Sequence, residues 1–176
     1  MTLPKPERRG PRPRKPIRRG PRKRNRTPEP LLRHRKLEER ADRLWSFVVR
    51  HKSPVCIRCH TRPTAQADHL ISRRYRVTRW QIANGAPLCA GCHRLLTSDH
   101  EMHVQVARRY MGAEVYEGCY RAAQVGGKVD PALAAVALEQ EIRDRGLTML
   151  AIERGLLCAE AATPAATRER TGSTCG

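Results

Sequence analysis

Two five-residue strings, CIRCH at residues 56–60 and CAGCH at residues 89–93, constrain this chain more than any other feature. Two cysteines three positions apart can direct both thiolates at one metal ion, and two such pairs complete the closed four-cysteine site of a structural zinc. Each string also has the form of a c-type haem attachment signature. The strings therefore predict one shared zinc ion, two haem groups or a set of free thiols.

The rest of the composition favours zinc. The chain has no apolar run of about 18 residues and no apolar region behind its basic start, so we expect a cytoplasmic protein with no membrane partner. Haem attachment takes place outside the cytoplasm, and seven cysteines, an odd number, fit poorly with a secreted disulfide framework. We predict one structural Zn²⁺, and its four ligands are Cys56, Cys59, Cys89 and Cys92. The remaining cysteines are predicted to be ordinary thiols: Cys119, Cys158 and Cys175.

The charge of the chain predicts a polyanionic partner. The formal charge is +18, from 35 Lys and Arg against 17 Asp and Glu, which most simply indicates a nucleic acid. Residues 1–26 contain twelve Lys and Arg and one Glu among prolines and glycines, so we expect a disordered basic tail. This tail is predicted to be a nucleic-acid arm, with a solubilising tail as the alternative. Residues 158–176 are predicted to form a second disordered tail.

Helices are expected on both sides of the cysteine block at 54–97. A leading helix is predicted within 27–53, with Thr27 as its cap, Pro28 at its first position and a helical repeat of apolar residues. That repeat comprises Leu37, Ala41, Leu44, Trp45 and Val48. The fold class predicted is thus α+β, a small core flanked by helices.

Residues 98–157 are predicted to form a helical extension. The string Ser98-Asp-His-Glu101 has capping-box form and opens a helix that ends at Gly112. A helix over 114–124 follows, and a third begins at Asp130-Pro131 and closes at Gly146, with a weaker one over 148–154. In the third, Leu133, Ala137 and Leu138 are expected to face inward.

The 29 residues between the two cysteine pairs, 60–88, exceed the commonest zinc-ribbon spacing, so a further element is inserted there. This stretch contains Asp68-His69 and Asn84, and it runs through Leu88 into the second pair and His93. Over roughly residues 45–125 the chain resembles the HNH nucleases, the ββα-metal family. Their signature is an acidic residue or His followed by His, an Asn five residues before the first cysteine of an LCxxCH string, and the closing His.

The resemblance implies a metal-dependent endonuclease that hydrolyses DNA phosphodiester bonds. It implies His69 as general base, Asn84 as the residue that positions the loop bearing His69, and Asp68 and His93 as ligands of a catalytic Mg²⁺ or Mn²⁺. Many members carry another ligand one turn after the last His, where this chain has Thr97, so an open site is implied. The segment after the motif is loosely similar to phage NinG-type recombination endonucleases.

The residues themselves leave several alternatives open. Residues 65–71 alternate tolerably as a strand, and Asn84-Gly85 is a turn signal. His60 is expected to be structural, and His100 and His103 are expected on a surface face, although their spacing could also reach a metal. Trp80 is predicted inside, and a nucleic-acid surface is predicted at Arg73, Arg74, Arg76 and Arg79.

The chief alternative function is a non-enzymatic zinc-knuckle protein that binds nucleic acid. Binding alone requires neither Asp68-His69 nor the offset Asn84, so these residues favour the nuclease. RNA stays open as a substrate, and the sequence leaves the oligomeric state undetermined. A dihaem electron carrier is the third possibility, and a colourless protein would eliminate it.

Overall fold

A computed structural model describes residues 28–158. Within these residues the fold is α+β, as predicted, with six α-helices and one two-stranded antiparallel sheet. The predicted tail at 1–26 lies outside the described residues. The predicted tail at 158–176 also lies outside them, except for Cys158. Among residues 28–158, none of the helices combines the length and the hydropathy that a membrane span requires. In chain order the elements are α1 (Glu29–Arg50), β1 (Gln66–His69), β2 (Gly85–Leu88), α2 (Ala90–Ser98), α3 (His100–Met111), α4 (Ala113–Val125), α5 (Pro131–Asp144) and α6 (Thr148–Glu153).

Helix α1 is exposed over its first half and buried over its second half. The predicted apolar face is confirmed from Ala41 onward, but Leu37 is 37% exposed. The core begins only where α1 meets α5 and the sheet. Pro28 precedes the helix and is not its first residue, whereas the predicted cap Thr27 lies outside the described residues. The buried side chains are Ala41, Leu44, Trp45, Phe47, Val48 and Val49.

Strands β1 and β2 pair in antiparallel register, with His69 opposite Gly85 and Asp68 opposite Ala86. The predicted turn at Asn84-Gly85 is wrong. The connection runs over residues 70–84, Asn84 ends a short 3₁₀ helix (Ile82–Asn84), and Gly85 begins β2 with φ −111°. Glycine is needed here for close approach: a Cβ on Gly85 would lie 2.2 Å from Val49 Cγ2.

Helices α2 and α3 are separated by a single residue, Asp99. The predicted capping box at Ser98 is wrong, because α2 continues through Ser98 and the break falls one residue later. Asp99 caps α3 instead, and its Oδ1 accepts a hydrogen bond from the Met102 N–H at 2.9 Å. The predicted end of α3 is confirmed, with Gly112 at φ +85°.

Helix α5 starts as predicted, with Asp130 as cap and Pro131 as its first residue. Its buried face, however, is set one position away from the predicted one. Leu138 is buried, but Leu133 is 69% exposed and Ala137 is exposed. The side that packs on α1 and α6 comprises Ala134, Ala135, Leu138 and Ile142.

Three apolar clusters hold these elements together. The largest joins α1, α5 and α6 and includes Trp80, which is buried as predicted. The second packs the start of the 70–84 connection against α3 and α4, and the third surrounds the cysteine pairs. The sheet lies between α1 and the α2–α3 pair, so its residues can meet side chains from both sides.

Candidate functional site

The four cysteines of the two CxxC pairs converge. Their four sulfur atoms lie within 4.8 Å of one another, so they could hold a metal ion such as zinc. The first pair sits on a tight turn, where the His60 N–H donates to the Cys56 carbonyl at 3.0 Å and His60 has φ +55°. The second pair begins α2, with the Cys89 sulfur accepting from the Cys92 N–H.

The surroundings of these thiols suit a cation. The Thr61 hydroxyl and backbone N–H lower the pKa of Cys59 to about 5, whereas burial raises the pKa of Cys92 to about 11. The Arg58 guanidinium lies 3.5 Å from the Cys92 sulfur and opposes that rise. A divalent ion deprotonates coordinating thiols outright and supplies the positive charge that four clustered thiolates need. The donor set therefore fits structural zinc, and His60 lies on the turn, exposed.

Asn84 fixes the connection that follows His69. Its side chain is fully buried, and its Oδ1 accepts from the Ile71 N–H at 2.6 Å. Its Nδ2 donates to the Ile71 carbonyl at 2.9 Å and to the Thr78 carbonyl at 3.0 Å. All these bonds are buried in the protein, and an apolar residue here would leave the partners unpaired. Asn84 therefore ties Ile71 and Thr78 of this connection together.

His69 stands at the end of β1 with its ring held on two sides. The ring stacks on Trp45 of α1, with centroids 3.7 Å apart and an interplanar angle of 14°. His69 Nε2 lies 2.9 Å from the Arg79 carbonyl oxygen, which can only accept, so Nε2 carries the proton in this contact. Nδ1 of the neutral ring is then left as an acceptor. Burial lowers the pKa of His69 below its ordinary value.

Trp45 is itself anchored. Its indole Nε1–H donates to the Gln81 carbonyl at 3.0 Å, and its side chain is 2% exposed. Sequence reasoning placed Trp45 on the buried face of α1 but gave it no part in the site. The helical repeat of α1 carried no signal for this contact, because it depends on where β1 crosses the helix.

Asp68 lies beside His69 on β1 and faces two imidazoles. Its Oδ1 is 3.4 Å from His93 Nε2 of α2, and its Oδ2 is 2.8 Å from His103 Nε2 of α3. The side chains of Asp68 and His103 are 14% and 16% exposed. The expected surface position of His103 is therefore wrong. The turn at Asp99 swings α3 back over β1, and the sequence spacing alone could not show this.

The position one turn after His93 does not add a ligand. Thr97 is exposed, and its hydroxyl donates to the His93 carbonyl at 2.8 Å. His103 instead comes from the next helix. His100 lies on that same helix, is exposed and keeps its predicted surface position.

Asp68, His69, His93 and His103 line one cleft of about 840 Å³. Arg73 and Arg74 line it from the 70–84 connection, together with side chains of α3 and α4. His100 and Glu117 also line this space, so two carboxylates, four imidazoles and several guanidinium groups face it. Such a set can bind a divalent ion, accept a proton and neutralise a phosphate.

The four predicted nucleic-acid arginines divide into two pairs. Arg73 and Arg74 are exposed at the cleft. Arg79 is 16% exposed, and its Nε and Nη2 donate to the two carboxylate oxygens of Asp42 at 3.0 and 2.6 Å. Arg76 is more exposed but lies 3.0 Å from Glu38. Arg79 is therefore occupied within the protein, and its carbonyl holds His69.

Comparison of the chain with protein-family models, curated proteins and solved structures gives no match.

Proposed function

We propose that this protein is a metal-dependent endonuclease of the HNH class that hydrolyses DNA phosphodiester bonds. The observation that carries the proposal is the arrangement at the end of β1. His69 is oriented by a backbone carbonyl and an indole ring, and it stands next to a carboxylate flanked by two histidines. If Asp68 and His69 served only to stabilise the fold, they would not need a stacked indole ring, a backbone acceptor and two further histidines around an open cleft.

In this proposal His69 is the general base. Because Nε2 donates to the Arg79 carbonyl, Nδ1 has the free electron pair that can take a proton from water. Desolvation lowers the pKa of His69, so the ring is neutral and ready to accept at neutral pH. Trp45 and the Arg79 carbonyl hold the ring in one orientation, and Asn84 holds the loop behind it.

Asp68, His93 and His103 would hold the catalytic ion. When bound, a divalent ion neutralises charge on the phosphate and stabilises the leaving oxygen. One carboxylate with two imidazoles suits Mn²⁺ and related transition metals better than Mg²⁺, which prefers oxygen ligands. The third ligand, His103, thus moves the proposed preference from Mg²⁺ towards Mn²⁺.

Positive charge would hold the DNA. Arg73 and Arg74 line the cleft and can donate to phosphate oxygens. The twelve basic residues of 1–26 would add affinity that does not depend on base sequence. The four-cysteine site would hold zinc and fix the β2–α2 junction from which His93 projects.

A non-enzymatic zinc-knuckle protein that binds nucleic acid is the second candidate. The converged cysteines and the charge of +18 are enough for that function. It gives no reason for the Asp68–His93–His103 group, which lies in a cleft and not on a convex basic surface. Metal-dependent cleavage separates the two candidates.

The test is plasmid cleavage by purified, zinc-loaded protein over a range of Mn²⁺ and Mg²⁺ concentrations. Asp68→Ala, His93→Ala and His103→Ala should each require more metal for half-maximal rate, with partial rescue at high Mn²⁺. His34→Ala, an exposed histidine of α1 that does not line the cleft, is the control and should behave as the wild type. Wild-type protein that binds DNA but cleaves it with neither metal would exclude the nuclease and leave the binding protein.

A further inference from the structure

Three tyrosines line the same cleft as the proposed metal ligands Asp68, His93 and His103. Tyr75 comes from the 70–84 connection, and Tyr116 and Tyr120 come from successive turns of α4. The rings of Tyr116 and Tyr120 are nearly parallel, at 9° with centroids 6.0 Å apart. Tyr75 meets Tyr120 edge to face at 6.5 Å. The same cleft is lined by Asp68, His69, His93 and all three tyrosines.

The three rings differ in exposure. Tyr116 is 6% exposed and belongs to the apolar cluster between the 70–84 connection, α3 and α4, and Tyr75 is half-buried against that cluster. Tyr120 is 38% exposed and is not part of the cluster. Helix α4 already buries Tyr116 and Ala123, so its packing does not require an aromatic residue at 120. Tyr120 is therefore an aromatic face presented to the cleft.

Guanidinium groups lie against two of the tyrosine rings. The Arg74 guanidinium lies 4.9 Å from the Tyr75 ring centroid, and its Nη2 donates to the Tyr75 hydroxyl at 3.0 Å. Arg108 lies over Tyr116 at 5.7 Å and pairs with Glu117. Gln124 adds an amide that donates to the Tyr75 hydroxyl at 3.1 Å. Aromatic faces beside cations are the surface on which unpaired nucleic-acid bases stack.

We propose that Tyr120, backed by Tyr75, binds a nucleobase outside the duplex, next to the phosphodiester at the Asp68–His69–His93 group. This inference rests on the proposed function. A base inside a duplex has both faces covered by its neighbours, so within a duplex a base can stack on Tyr120 only after it has left the stack. The substrate class is then DNA with an unpaired nucleotide beside the cleaved bond.

The experiment compares two DNA duplexes of equal sequence, one fully paired and one with two unpaired nucleotides at its centre. Base stacking predicts that wild-type protein cleaves the second duplex about 5- to 150-fold faster at subsaturating concentrations. Tyr120→Ala should lose that preference, so that it cleaves the two duplexes at similar rates. Tyr120→Phe should retain the preference, because stacking needs the ring and not the hydroxyl. Tyr110→Ala is the control, since Tyr110 is 36% exposed but lines a different groove.

A binding measurement keeps this inference separate from the nuclease proposal. A 2-aminopurine placed at the unpaired position should lose fluorescence on binding to wild-type protein and to Tyr120→Phe, but not to Tyr120→Ala. That result would stand even if the wild type cleaved neither duplex, in which case only the proposed function would fail. Equal cleavage and equal binding of both duplexes would overturn the inference, and so would a preference that Tyr120→Ala leaves unchanged.

Discussion

Gly85→Ala should destabilise the protein, although the backbone at this position is accessible to any residue. With φ −111°, Gly85 does not need glycine for its conformation. The difficulty is space: the new Cβ would lie 2.2 Å from Val49 Cγ2, 3.0 Å from Val49 Cγ1 and 3.0 Å from Trp45 Cζ2. Val49 is fully buried and Trp45 is 2% exposed, so neither side chain can move into solvent.

The magnitude follows from overpacking. Forcing an extra carbon into a packed core costs about 1–3 kcal/mol. For a chain of this size that corresponds to a fall in Tm of about 2–12 °C. The Trp45 ring stacks on His69, so a shift of Trp45 would also move the His69 ring. The cleavage rate should therefore fall together with the free energy of unfolding.

The assay is denaturant unfolding of zinc-loaded protein, with two further variants. Gly118→Ala is the matched control, because its new Cβ would have no atom within 4 Å apart from its chain neighbours and its own helix backbone, and alanine should stabilise helix α4 by about 0.5–1 kcal/mol. Val49→Ala removes the clashing methyl groups, so the double variant Gly85→Ala/Val49→Ala should cost less than the sum of the two single changes. If Gly85→Ala is as stable as Gly118→Ala, or if the double variant is additive, the close-approach argument is refuted.

Four further predictions concern metal, pH and salt. Cys89→Ser should unfold the central block and lose its zinc, because structural zinc contributes roughly 10–16 kcal/mol, comparable with a domain's whole stability; a folded, metal-free variant would contradict this. Desolvation lowers the His69 pKa, so the cleavage rate should hold above pH 6.5 and fall only as acidification passes the lowered pKa. The lowered pKa of His69 also adds to the free energy of unfolding above pH 6.5, and this contribution is lost as pH falls through the folded-state pKa. Denaturant unfolding at several pH values between about 5 and 8 measures it. Deletion of residues 1–26 should flatten a salt dependence of about 10³- to 10⁵-fold between 50 and 200 mM, whereas an unchanged slope would exclude the arm.

The sequence predicted those parts of the fold that depend on local signals. The helix start at Asp130-Pro131, the stop at Gly112 and the apolar repeat from Ala41 to Val48 are all found, because caps and helical periodicity act within one or two turns. The convergence of the two cysteine pairs was also predictable, since a tetrahedral ion sets their geometry.

What the sequence missed depends on how elements cross. The sequence predicts a turn at Gly85, but the need for glycine there comes from Val49 of α1, 36 positions earlier. The sequence predicts a surface position for His103, although its Nε2 lies 2.8 Å from Asp68 Oδ2 because Asp99 turns α3 back over the sheet. Both contacts join residues far apart in sequence, and no local pattern marks them.

The most direct measurement is the single-turnover rate of DNA cleavage by His69→Ala, with zinc content and free energy of unfolding determined on the same preparation. A general base contributes about 10²- to 10⁴-fold, so the rate should fall by that factor. Zinc content and DNA affinity should match the wild type, and raising Mn²⁺ should not restore the rate. If His69→Ala cleaves at the wild-type rate while zinc and fold are intact, the nuclease mechanism proposed for this cleft is contradicted.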